Sequence, residues 1–101
     1  MQLAYITCGN SKEAEKIAKA LLSKKLIACA NILPSTSLYF WKGRLKKTKE
    51  SILIAKTTAG NFAALEKTVK ALHSYELPLI AQLNVKSVNK EFKKWLEKQV
   101  K

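Results

Sequence analysis

At 101 residues, 48% hydrophobic and 26% charged, the chain has the length of a single domain (residues 1–101) and an ordinary globular composition, which excludes a disordered protein. Its apolar runs are far shorter than a membrane span, and no basic run precedes a long apolar segment in Met1–Ile6, so neither a spanning helix nor a secretory leader is expected and the expected location is cytoplasmic. The net charge is +12, with 18 lysines, one arginine (Arg44), seven glutamates and no aspartate; such a field attracts polyanions, but one arginine is a poor basis for reading bases.

Residues 2–8 (Gln-Leu-Ala-Tyr-Ile-Thr-Cys) predict a short, mostly buried strand that ends at the turn signal Gly9-Asn10. A helix is predicted next, with Asn10 as N-cap and Glu13 three residues on, where a capping-box carboxylate reaches back. Ala14, Ile17, Ala18, Leu21 and Leu22 form its apolar stripe, and Lys24-Lys25 close it at the carbonyl end of the dipole.

Leu26–Phe40 and Leu45–Thr58 are two apolar-rich arms about the junction Trp41-Lys42-Gly43-Arg44, which predicts a long β-hairpin. Pro34 has no N–H for a ladder and is expected to mark a bulge or bend. The continuous run Ile52-Leu53-Ile54-Ala55 fits a strand covered on both faces. Both arms exceed the usual strand length.

Asn61 is expected to cap a second helix carrying Phe62, Leu65, Val69 and Leu72, which ends around His73-Ser74-Tyr75. After Pro78, the stretch from Leu79 to Val85 puts Leu79, Ala81, Leu83 and Val85 on one face of a half-buried strand. Asn89 is expected to cap a last helix with Phe92, Trp95, Leu96 and Val100 as its stripe.

The order β-α-β-β-α-β-α predicts an α+β fold: a ferredoxin-like βαββαβ core plus a C-terminal helix. Both core helices cover one sheet face. The other is too apolar at Ile52–Ala55 to face water, so burial against a partner is expected. In this strand order the first strand lies between the third and fourth, so Cys8 and Cys29 should not be neighbours.

Two cysteines and one histidine, with no Cys-x-x-Cys spacing, argue against a disulfide framework and a closed four-ligand zinc site. His73 is the best candidate for a soft-metal ligand. The alternative role is a helix-end residue favoured by the dipole. Cys29 reads as a buried hydrophobe, and Tyr39, Phe40 and Trp41 as interface anchors. Glu76 could serve as a ligand or catalytic carboxylate, but no paired acid or nucleophile accompanies it, so no enzymatic activity is expected. Thr57–Asn61 is no Walker loop and reads as a cap.

Five segments, in order, resemble the CutA divalent-cation tolerance family. They are Leu22-Ser23-Lys24-Lys25 leading into Leu26–Ile32, then Ser37–Gly43, then Ala55-Lys56-Thr57-Thr58, and finally Leu72–Pro78. The resemblance covers essentially the whole chain. It implies a ferredoxin-like fold and a tight homotrimer like that of the PII signal proteins, with hairpin arms packed between subunits. It also implies a link to tolerance of copper (Cu2+) and other divalent metals, without a secure enzymatic reaction.

The family's His-Pro-Tyr-Glu-x-Pro-Glu stretch is matched by His73, Tyr75, Glu76 and Pro78, whereas Ser74 replaces a proline and Leu79 an acidic candidate ligand. A first-strand cysteine found in some members aligns with Ile6; Cys8 lies two residues on, on the same face. The resemblance thus implies His73, Cys8 and Glu76 as candidate metal ligands. Lys46, Lys47 and Lys49 stand where acidic residues usually follow the Trp-x-Gly turn.

The competing reading is an RNA-recognition domain of the same strand order. It lacks the aromatic pair on the third strand, Ser51–Ala55, that stacks bases. An acylphosphatase-like enzyme would need an anion site, and Arg44 sits at the hairpin tip instead.

Overall fold

A computed structural model describes residues 1–101. The order is β1 (Gln2–Cys8), α1 (Ser11–Ser23), β2 (Cys29–Trp41), β3 (Arg44–Thr57), α2 (Phe62–Leu72), β4 (Ile80–Asn84) and α3 (Lys90–Gln99). The strands form one antiparallel sheet in the order β2-β3-β1-β4. This is the expected α+β, ferredoxin-like arrangement. It keeps Cys8 on β1 and Cys29 on β2 apart, and both are free thiols.

The register separates the two sheet faces. Ala4, Ile6 and Cys8 pair with Ala55, Leu53 and Ser51, and Ala30 and Ile32 lie opposite Ala55 and Leu53. This face meets Ala14, Ile17, Ala18 and Leu21 of α1 and Leu65 and Val69 of α2 in one buried cluster. The opposite face carries Leu3, Tyr5, Ile52, Ile54 and Leu33. Here Ile52 is buried, Ile54 half-buried and Leu33 exposed.

Asn10 caps α1 as expected, its side chain accepting from Glu13 N at 2.8 Å, while the Glu13 carboxylate reaches back to Gly9 N at 2.8 Å. The helix closes with Leu26 N donating to Leu21 O and Lys25 N to Leu22 O, a Schellman pair that places Lys25 at φ 57. Lys42 and Gly43, at φ 52 and 78, make the two-residue turn between β2 and β3. Paired positive φ values suit the right-handed twist of a hairpin.

Four expectations need correction. Pro34 causes no bulge: it pairs with Ser51 in a register unbroken from Cys29↔Lys56 to Trp41↔Arg44. β2 is one of the sheet's two edge strands, where a missing donor is tolerated. Asn61 does not cap α2 through its side chain. It ends a one-turn 3-10 helix (Ala59–Asn61), with its amide donating to Thr58 Oγ1 and the Lys101 carbonyl. Asn89 occupies the N-cap of α3 with no side-chain cap bond.

The face of β4 is also reversed. Ile80 lies opposite Ile6 and packs on the helix-side core, while Leu79 and Leu83 are exposed; Leu83 pairs with Leu3 on the other face. The alternation was legible, but its direction is set by the register with β1.

The distal half of the hairpin has no cover within the chain. It stretches the molecule to 46 × 26 × 20 Å. Leu38, Phe40 and Leu45 are 67%, 74% and 64% exposed. On α3, Leu96 is fully buried, while Phe92 packs on Trp95 and lies beneath the Lys56 ammonium at 5.4 Å. No helix is long and apolar enough to cross a membrane.

Candidate metal centre

β1 ends at Cys8, the tight Gly9-Asn10 link starts α1, and α2 ends at His73 beside the same strand end. Three donors thereby converge: one ligand atom each from Cys8, Glu13 and His73 lies within 4.8 Å of the others. His73 Nε2 lies 2.8 Å from Thr7 O. It donates there, because the carbonyl can only accept. Its Nδ1 accepts from Tyr75 N at 3.0 Å and lies 3.8 Å from Glu13 Oε1.

Glu13 binds two loops at once. Oε1 accepts from Gly9 N at 2.8 Å and Oε2 from Ser74 N at 2.9 Å. Burial pushes its carboxyl up, but hydrogen bonds from Gly9 and Ser74 and the nearby His73 outweigh this and hold it below its ordinary value of 4.5. The Cys8 thiol is buried, and burial together with the charges of Glu13 and Glu50 pushes it up to about 12. At neutral pH the site therefore holds a thiol beside an ionised carboxylate.

This donor set fits a borderline divalent cation: imidazole nitrogen and thiolate sulfur suit copper and zinc, and the carboxylate adds charge. A backbone carbonyl on Nε2–H is the usual outer partner of a ligating histidine. With bonds of about 2.0–2.3 Å, ligands on a tetrahedral ion lie roughly 3.5 Å apart, so the donors need to close by about 1 Å. Cys8 must also lose its proton, which links binding to pH.

The structure brings together two of the three sequence-predicted ligands. Glu76 is exposed, on the rim of a neighbouring cleft. Glu13 was read from sequence only as a capping residue. Its second role depends on the end of α2 packing beside β1, a contact 61 residues away in the chain that leaves no local pattern.

The cleft holds about 500 Å³ and lies between the hairpin (Tyr39, Trp41, Lys46, Glu50) and residues 74–77. Tyr75 closes one wall, with its phenol donating to Glu50. Burial, then the bond to Glu50 and the surrounding charges, raise the Tyr75 hydroxyl well above its ordinary range. On the cleft side β3 presents Glu50, Ile52, Ile54 and Lys56. That row has no aromatic residue, so the RNA-recognition reading gains no stacking pair.

The profile of the CutA1 divalent ion tolerance protein family matches residues 2–99. The chain is 43% identical over 96 residues to "Divalent-cation tolerance protein CutA" of Archaeoglobus fulgidus, covering 95% of this chain and 94% of that protein. The solved structure of the protein described as the periplasmic divalent cation tolerance protein CutA from Archaeoglobus fulgidus superposes with a TM-score of 0.96 at 41% identity over 100% of both chains. CutA1 from Pyrococcus horikoshii superposes at 0.95 with 36% identity, over 100% of this chain and 99% of that one. A rice relative, 35% identical over 94% of this chain and 54% of its own length, is named "Protein CutA 1, chloroplastic".

Proposed function

Since this chain belongs to the CutA1 divalent ion tolerance family, we propose that it works as a non-enzymatic, cytoplasmic homotrimer of the PII type that binds copper(II) or another divalent cation in a metal-tolerance role. Residues 1–101 act as one domain. Cys8, Glu13 and His73 hold the ion, and Glu76 stands outside the first set of ligands. The observation that carries this reading is the meeting of a sulfur, a nitrogen and an oxygen donor from three separate segments.

The trimer rests on surface chemistry. β2 is a 13-residue edge strand whose far end carries exposed Leu38, Tyr39, Phe40 and Trp41. Such an edge is a template for pairing with another chain. Thr48 Oγ1, in the partner arm, is buried without a hydrogen-bond partner in the chain, and a packed neighbour would supply one.

Copper(II) calorimetry on the purified protein tests the metal reading: His73→Ala should weaken binding by about tenfold or more. Equal affinity in the variant removes His73 from the site. Light scattering tests the assembly; a mass equal to the 11.3 kDa chain refutes the trimer.

A further inference from the structure

His73 Nδ1 has one lone pair, and in this structure the Tyr75 N–H occupies it at 3.0 Å. The other ring nitrogen is turned to Thr7 O and its proton is committed there. Nδ1, 3.8 Å from Glu13 Oε1, is the nitrogen that faces the donor cluster. An ion at this site and the Tyr75 N–H therefore compete for the same electron pair. Glu13 faces no such choice: two oxygens offer about four acceptor positions, so it can keep Gly9 N and Ser74 N and still ligate.

Tyr75 is also the wall of the neighbouring cleft. Its backbone is held by His73, its ring sits 4.8 Å from the imidazole, and its hydroxyl is bonded to Glu50. Residues 73–79 belong to no helix or strand, and Ser74 N on Glu13 is the neighbouring backbone group of this loop held by a side chain. Glu50, once released, remains on the cleft wall with Tyr39, Trp41 and Lys46.

Building on the metal reading above, we propose that cation binding at His73 Nδ1 displaces the Tyr75 N–H and swings Tyr75 off Glu50, so that metal occupancy opens the cleft bounded by Tyr39, Trp41, Lys46 and Glu50. Ion binding and cleft closure are then mutually exclusive. The loop is the reporter by which occupancy reaches the hairpin.

The experiment is a zinc titration of the full chain, followed by calorimetry and by amide hydrogen exchange in NMR spectra. Zinc is diamagnetic and leaves the Tyr75 amide observable. Exchange at Tyr75 should accelerate at least tenfold on saturation, while the Ser74 amide, still on Glu13, changes less. Tyr75→Phe, which lacks the bond to Glu50, should bind zinc about fivefold tighter, the change expected from removing one ordinary competing hydrogen bond. Zinc binding with Tyr75 protection unchanged or increased overturns the displacement and leaves the metal reading standing. Absence of zinc binding, or binding unchanged in both Cys8→Ser and His73→Ala, overturns both.

Discussion

The phenol of Tyr75 donates a hydrogen bond to Glu50, tying the loop after α2 to the middle of β3. Glu50 is a buried carboxylate in a strand that otherwise turns apolar, and this bond satisfies it. Tyr75→Phe leaves the acceptor buried and unpaired, which typically costs about 1–3 kcal/mol. Urea denaturation should show that loss. Glu50→Gln should lose less, because an amide oxygen still accepts from the phenol.

Glu13 predicts an acid limb. Its folded carboxyl titrates below its ordinary 4.5, so the unfolded chain takes up the proton first. The stabilisation is present above 4.5 and disappears as pH falls through the lowered folded value. Glu13→Gln should flatten this part of the stability–pH curve. Ser74→Pro removes the N–H that Glu13 accepts, and the Glu13 carboxyl, followed by NMR, should titrate closer to 4.5.

Cys8 predicts the opposite limb. Its thiol is raised from 9.0 to about 12, so the folded state retains the proton more tightly than the unfolded chain. Its contribution is complete below 9.0 and is lost as pH rises towards 12. At pH 8 the shift leaves about a thousandfold less thiolate than an ordinary thiol would have. Mass spectrometry after brief iodoacetamide treatment should find Cys8 unmodified in the native protein and modified in urea.

The hairpin tip predicts an effect on assembly rather than on the fold. Leu38 and Phe40 are mostly exposed in the chain, so Leu38→Lys or Phe40→Asp should leave the circular dichroism of the subunit intact. If the arms pack between subunits, the same changes should shift the light-scattering mass down to that of one 11.3 kDa chain. An unchanged mass would mean that these side chains lie outside the interface.

The metal centre predicts unequal roles for two glutamates. Glu13→Ala should weaken zinc binding by about tenfold or more, as loss of a ligand or its close partner does. Glu76→Ala should leave it within about twofold, since rim charges act weakly across solvent. Equal effects of the two substitutions would argue against the assignment of Glu13.

Much of this fold is written in local patterns. Helical spacing at Ala14, Ile17, Ala18 and Leu21 marks α1, and the Asn10–Glu13 pair marks its start, because both depend on residues within one or two turns. The hairpin was legible for the same reason: Lys42-Gly43 sits between two β-rich arms. Local patterns misjudged Pro34, Asn61 and the direction of β4. An edge strand tolerates a proline that a central strand would not, a 3-10 lead-in turns Asn61 towards Lys101, and pairing with Leu3 and Ile6 decides which face of β4 meets the core.

The candidate site divides along the same line. Residue type alone singled out His73, the chain's one imidazole, whereas Cys8 was implied by the family resemblance of the first strand. Only the packing of α2 against the end of β1 brings Glu13 beside them and leaves Glu76 at a cleft rim. Composition and spacing decide which donors exist and which local elements carry them. Convergence is a property of contacts between residues such as Glu13 and Ser74, 61 positions apart, and those are set by burial of the shared core.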